Sequence, residues 1–120
     1  MAKRDLTGAV DFAHLERYAG GDSALVEEVL GLFREQAAIW ARLLDPEAAE
    51  EAWKDAAHSL TGSALGIGAF ALAGACEAAE GAAELGQKIA HLAHVRDSLD
   101  AALADIAAYL HEQALRSLKG

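Results

Sequence analysis

The sequence is poor in the residues that cross-link or interrupt a fold. It holds one cysteine and one proline among 120 residues, and aromatic residues make up 6%. The lone Cys76 excludes an internal disulfide and a zinc site built from several thiolates. One proline and 53% hydrophobic residues do not fit the composition of a disordered chain.

Long apolar runs and excess positive charge are also missing. No run reaches the roughly 18 residues that a membrane-spanning helix needs, and no apolar stretch follows Met1 as it would in a signal peptide. The chain has 10 Lys and Arg against 19 Asp and Glu, a net charge of -9. Because this charge repels phosphate backbones, we expect no nucleic-acid partner. Because a spanning segment and a signal peptide are both missing, we expect no membrane contact and a cytoplasmic protein.

Alanine occupies 30 positions, and it is the best helix former. The length supports one domain over residues 1–120, and the pattern predicts an all-α fold, an antiparallel four-helix bundle with a short extra N-terminal helix. The apolar stripes suffice to close one bundle within a single chain, so we expect a monomer. The predicted helices cover about residues 11–19, 23–44, 46–66, 69–85 and 88–118.

Acidic residues and a proline mark the predicted helix starts. Asp11 and Asp22 (or Ser23) are expected N-caps, and Asp45-Pro46 is typical of an N-cap followed by the first helical residue. Gly86 is expected to separate the last two helices, and the first ten residues are expected to fray. The apolar stripe predicted for the second helix consists of Leu25, Val29, Leu32 or Phe33, Trp40 and Leu43.

The third predicted helix carries a histidine on its outer side. At 100° per residue, a core face forms from Trp53, Ala57, Leu60, Ala64 and Ile67. His58 lies roughly 140° from that face, and its neighbours on the helix surface are Lys54, Asp55, Thr61, Gly62 and Leu65. Gly62 costs about 1 kcal/mol relative to alanine inside a helix. A glycine and an exposed Leu65 beside the imidazole predict close approach by a protein partner.

The segment from His58 to Ala64, followed by Gly68-Ala69, resembles the signature of histidine-containing phosphotransfer (HPt) domains. That signature combines a histidine, a leucine two residues on, a glycine four residues on and then small residues. Phe33 to Ala37 resembles the family's second helix. The resemblance extends over nearly the whole chain.

The resemblance implies a phosphorelay intermediate. His58 would accept a phosphoryl group and exchange it with an aspartate of a response-regulator receiver domain, in a pathway fed by a (hybrid) sensor histidine kinase. Gly62 would clear space for the receiver, with Leu65 beside it in the docking surface. Gln36 matches a polar residue that hydrogen-bonds near the histidine in some members. Most members have lysine where this chain has Thr61, and Lys54 is the candidate to replace its charge.

The sequence offers little phosphoryl chemistry of its own. It has no glycine-rich phosphate loop and no nucleotide-binding motif, so we expect a carrier rather than an autonomous enzyme. No acidic cluster stands beside His58, so we expect no metal or cofactor on this chain and Mg²⁺ at the receiver's site. His91 and His94 are three residues apart, but no third ligand accompanies them.

Two other readings of the sequence stay open. A degenerate HPt-like module could bind a receiver or kinase without carrying phosphate, and Thr61 in place of lysine favours this reading. A helical scaffold or dimerisation module would expose a continuous apolar seam and run as a dimer in size-exclusion chromatography.

Overall fold

Five helices and their connections make up the fold, seen in a computed structural model that describes residues 6–119. α2 to α5 form an antiparallel bundle in which α3 packs between α2 and α4, and α5 packs on α4 and α2. The short α1 lies against α2 and α3. The all-α fold and the four-helix bundle with a short N-terminal helix are confirmed. The helices are α1 (Phe12–Tyr18), α2 (Ser23–Leu43), α3 (Glu50–Ile67), α4 (Phe70–Glu80) and α5 (Leu85–Lys119).

The helix starts follow the capping chemistry in two cases of three. Asp11 accepts a hydrogen bond from the His14 amide, and Asp22 accepts one from the Leu25 amide. The third start was predicted near residue 46 and is wrong, because α3 begins at Glu50. Asp45 uses its side chain to accept from the Glu47 amide at 2.9 Å, which closes a separate turn.

The boundary between α4 and α5 also differs from the prediction. α4 ends at Glu80 rather than 85, and α5 begins at Leu85 rather than 88. Gly86 therefore lies in the first turn of α5 and does not separate the helices. The Gln87 side chain accepts from the Ala83 and Glu84 amides at 3.4 Å and supplies the acceptor that an N-cap residue usually provides. None of the helices within residues 6–119 is long and apolar enough to cross a membrane.

α3 supplies the centre of the core. All five residues of its predicted inner face are buried, and the Trp53 indole N–H donates to the Ala79 carbonyl of α4 at 2.7 Å. The Lys88 ammonium of α5 lies 5.6 Å from the centre of the Trp53 ring, a cation–π arrangement. Three helices therefore meet at one side chain.

The stripe predicted for α2 is confirmed in part, since Phe33 is buried and Val29 and Trp40 are partly buried against the core. Leu25, Leu32 and Leu43 are exposed. The buried residues of α2 are Val26, Leu30, Phe33 and Ala37, which form a row next to the exposed one. Both sets have helical spacing, and only the position of α3 and α5 decides which one is covered.

Asp105 holds the N-terminal segment against α5. The carboxylate is fully buried and accepts hydrogen bonds from the amide and hydroxyl of Thr7 and from the amide of Ala9, at 3.0–3.2 Å. Residues 6–10 are thereby fixed, contrary to the expected fraying, whereas residues 1–5 lie outside the described part. Next to this clamp, Phe12 stacks on Tyr109 at 4.2 Å, and the Tyr109 hydroxyl donates to Glu16 at 2.6 Å.

Replacing Asp105 with alanine should lower the free energy of unfolding by about 3 kcal/mol, because hydrogen bonds to a buried charge are lost and two amides are left without their acceptor. Urea denaturation measures the loss. Asp100→Ala, which removes an exposed carboxylate from the same helix, is the matched control and should change stability by less than about 0.5 kcal/mol. Equal effects of the two substitutions would contradict the clamp.

Candidate functional site

His58 stands on the outer face of α3, as helical periodicity predicts. Its side chain is 78% exposed, while Ala57 and Leu60 on either side of it are fully buried in the core. The packing that fixes the roll of α3 therefore also fixes the direction of the imidazole. An imidazole in this position presents its ring nitrogens to solvent.

Glu80 lies next to His58, a neighbour that the sequence did not reveal. One carboxylate oxygen, Oε1, is 3.6 Å from His58 Nδ1. Glu80 is the last residue of α4, and the preceding residue, Ala79, receives the Trp53 hydrogen bond. Finding this pair needs the axial offset between α3 and α4, which neither helix encodes in its own periodicity.

The surface beyond His58 is open. A Cβ added at Gly62 would meet no atom within 4 Å, and Leu65, one turn further along, is 47% exposed. His58, Gly62 and Leu65 follow one another at spacings of four and three residues, so they share one face of α3. This face is open at Gly62 and apolar at Leu65.

Thr61 does not belong to the exposed face, which corrects the neighbour set expected from the sequence. It is buried, and its hydroxyl donates to the Ala57 carbonyl at 2.9 Å. The Thr61 hydroxyl is thus engaged within its own helix, whereas Lys54, one turn before His58, is exposed.

Gln36 reaches α3 beside the site rather than at the imidazole. Its side-chain oxygen accepts from the Ser63 hydroxyl at 3.4 Å, a long hydrogen bond. Ser63 follows Gly62 directly, so the amide marks the edge of the open surface. The hydrogen bond described for Gln36 links α2 to α3 and does not involve His58.

Metal-binding groups do not converge in the described part of the chain. Within residues 6–119, no three His, Cys, Asp or Glu side chains are placed to hold a metal ion. Cys76 is buried in α4, and burial raises the pKa of its thiol to about 11. This thiol stays protonated at neutral pH and is a poor nucleophile.

The arrangement suits an imidazole that carries a group rather than one that activates water. The solvent-facing histidine has a carboxylate near Nδ1 and a glycine-cleared surface beside it. No family profile matches the sequence, and no curated protein matches it. Among solved structures, the chain is similar to the histidine phosphotransferase ShpA from Caulobacter crescentus. The two are 59% identical, the match covers 92% of this chain and 99% of that one, and the TM-score is 0.78. This chain therefore belongs to the histidine phosphotransferase family.

Gly62→Ala should raise the free energy of unfolding by up to about 1 kcal/mol, because alanine favours helix and the added methyl group meets nothing. Gly74→Ala in α4, with equally open surroundings, is the matched control and should do the same. Gly68→Ala should destabilise instead, since its φ is +80° and a Cβ would lie 3.1 Å from the Asp11 carbonyl oxygen. Thermal denaturation checks all three, and a destabilising Gly62→Ala would mean that the glycine serves the fold.

Proposed function

We propose that this chain is a phosphorelay intermediate that accepts a phosphoryl group on His58 and exchanges it with an aspartate of a response-regulator receiver domain. The observation that carries the proposal is the exposed imidazole with Glu80 at Nδ1 and open space at Gly62. Membership of the histidine phosphotransferase family supports the same role. A sensor histidine kinase, in simple or hybrid form, would feed the pathway from ATP, so we propose a cytoplasmic role.

Glu80 prepares His58 for attack in this proposal. The 3.6 Å separation exceeds a hydrogen bond, and rotation of the exposed imidazole closes the gap. A carboxylate at Nδ1 favours the tautomer that carries its proton there, which leaves the lone pair on Nε2. Nε2 is then the nucleophile and points toward the open surface.

The transfer step needs no proton movement at Nε2. Nε2 attacks the phosphorus of the receiver's aspartyl phosphate in line, the N–P bond forms, and the bond from phosphorus to the aspartate oxygen breaks. The aspartate carboxylate leaves with the electron pair. The ring becomes a phosphorylated imidazolium that keeps its Nδ1 proton, and the Glu80 carboxylate offsets its positive charge. The reverse sequence returns the phosphoryl group to an aspartate.

Charge stabilisation of the phosphoryl group comes mainly from the partner in this proposal. Thr61 stands where most family members have lysine, and its hydroxyl is already engaged. Lys54, one turn from His58, is the candidate to replace the charge of that lysine. Equal transfer rates for Lys54→Ala and wild type would show that Lys54 takes no part in transfer. Mg²⁺ would be held by the receiver, and this chain would bind no cofactor. The chain is then a carrier that reacts only with a partner's catalytic groups.

The proposed docking surface centres on Gly62 and Leu65. A receiver must bring its aspartyl phosphate within bonding distance of Nε2, so its active-site rim has to lie on α3. Gly62 leaves room for that rim, and the exposed Leu65 provides apolar area at its edge.

The first experiment is transfer of labelled phosphate from phosphorylated receiver domains to the whole protein. Wild type should take up acid-labile label, whereas His58→Gln should take up none. His94→Gln is the matched control, because it removes another exposed histidine and should leave transfer unchanged. Intact receiver binding without label on wild type would favour the degenerate binding module and overturn the carrier.

The role of Glu80 is tested by two substitutions at that position. Glu80→Ala should lower the transfer rate about tenfold, which corresponds to about 1.4 kcal/mol of barrier. Glu80→Gln should retain more of the rate, since its amide oxygen still accepts from Nδ1. The ¹⁵N shifts of His58 should show less of the Nδ1-protonated tautomer in Glu80→Ala. Glu77→Ala, one turn earlier on α4 and exposed, should alter neither measurement, and unchanged tautomers in Glu80→Ala would refute the role.

A further inference from the structure

The N-terminal segment of residues 6–10, which we name the strap, is held to α5 through the buried carboxylate of Asp105. Thr7 donates to that carboxylate from its backbone amide and from its hydroxyl, and the Ala9 amide donates to it as well. Asp105 is fully buried, whereas Thr7 is exposed. A reactive hydroxyl at the surface is therefore bonded directly to a carboxylate in the core.

Thr7 differs from the other serines and threonines of the chain in its backbone. The sequence has five serines and two threonines, and six of these seven residues lie in α2, α3 or α5. Thr7 lies in the strap, which is not helical. A protein kinase has to enclose the acceptor hydroxyl in its active-site cleft, and a terminal segment outside the helices can enter such a cleft without unwinding a helix.

Basic residues precede Thr7 in a chain that is otherwise acidic. Arg4 stands three residues before Thr7 and Lys3 stands four before it, while the net charge of the chain is -9. None of the other six serines and threonines has a lysine or arginine three or four residues before it. Positive charge at this spacing complements the acidic substrate groove that many serine/threonine kinases use to select their acceptors.

We infer that Thr7 is a phosphorylation site for a serine/threonine kinase that selects basic residues before its acceptor, and that phosphate on Thr7 releases the strap. In the chemical step, the Thr7 hydroxyl oxygen attacks the γ-phosphorus of ATP, and the new O–P bond forms. The bond from that phosphorus to the bridging oxygen breaks, and ADP leaves with the electron pair. The hydroxyl proton passes to the catalytic aspartate of the kinase.

Phosphorylation turns the contact between Thr7 and Asp105 from attraction into repulsion. The Thr7 oxygen loses the proton that it donates to the carboxylate. The phosphate adds roughly -1.5 to -2 charges at pH 7, and phosphate beside a carboxylate disrupts a contact by like-charge repulsion. Separation of the strap from α5 relieves this repulsion and lets water reach both anions.

The release is expected to end at Val10. Leu6 and Ala9 are only partly buried against the core, whereas Val10 is buried. The next residue, Asp11, donates its backbone amide to the Gly68 carbonyl at the end of α3, at 3.0 Å. Residues 6–9 can therefore detach while the contact with α3 stays. Phosphate on Thr7 would lower the stability of the bundle and leave the surface around His58 in place, so this inference does not depend on the proposed function.

The site is tested by incubating the whole protein with ATP and the catalytic subunit of cyclic-AMP-dependent protein kinase, which selects basic residues before its acceptor. The intact mass should rise by one phosphate, and this phosphate should survive acid, which separates a threonine ester from phosphohistidine. Thr7→Val should take up none, and Arg4→Ala should react at least about tenfold more slowly.

Ser98→Ala is the matched control for the site. Ser98 has Arg96 two residues before it but lies within α5, so the variant should be phosphorylated like wild type. Absence of acid-stable phosphate on wild type overturns the inference, as does equal uptake by Thr7→Val. Equal rates for Arg4→Ala and wild type overturn the selection by basic residues.

Hydrogen exchange tests the release of the strap. The Thr7 and Ala9 amides should exchange at least about tenfold faster in the phosphorylated protein, because both lose their acceptor. The urea midpoint should fall in the phosphorylated protein. Unchanged exchange at these two amides overturns the release.

Two substitutions at Thr7 separate charge from size. Thr7→Glu should have a lower urea midpoint than Thr7→Gln, which has the same shape without the charge. This difference should shrink when Asp105→Asn is added to both, because the repelling carboxylate is gone while one acceptor oxygen remains. Equal midpoints for Thr7→Glu and Thr7→Gln contradict the repulsion, and a difference that Asp105→Asn leaves unchanged contradicts Asp105 as its source.

Discussion

The hydrogen bond from the Trp53 indole to the Ala79 carbonyl is the interaction on which the site depends. It is buried and 2.7 Å long, so breaking it would leave the indole N–H unpaired in the core. It fixes how far α3 and α4 slide past each other, and Lys88 brings α5 to the same ring. The 3.6 Å approach of Glu80 to His58 follows from that offset, because Glu80 is the next residue after Ala79.

On α3, the residues that stabilise the fold and the candidate functional residues lie on different faces of the helix. Ala57 and Leu60 are fully buried, whereas the His58 side chain between them points outward and takes no part in the core. The surface around His58 can therefore change without loss of the fold, and Gly62 shows this, since it keeps a less favourable helix residue where nothing in the fold fills the space. In the proposed function, a receiver that must approach closely gives the physical reason for keeping it.

The parts of this structure that could be predicted lie within single helices. The outward direction of His58 and the inward face of α3 follow from 100° per residue, and the caps at Asp11 and Asp22 follow from local hydrogen bonding. The partner of His58, Glu80, depends on packing between helices and could not be found this way. On α2 the periodicity itself was ambiguous, because two apolar rows share the helix and only the neighbouring helices decide which one is buried.

The charges near His58 bear on how the proposed carrier would work. One cation, Lys54, lies within a helical turn of His58, against two carboxylates, Asp55 and Glu80. A phosphoryl group on Nε2 would therefore gain little attraction from its own chain, and the buried Thr61 adds none. In the proposed function this weak hold is an advantage, because a carrier must release the group as readily as it receives it. Strong stabilisation of the phosphoryl charge would then come from the receiver, whose bound metal acts only while the two proteins are in contact. In this proposal, the direction of transfer would depend on which partner is docked.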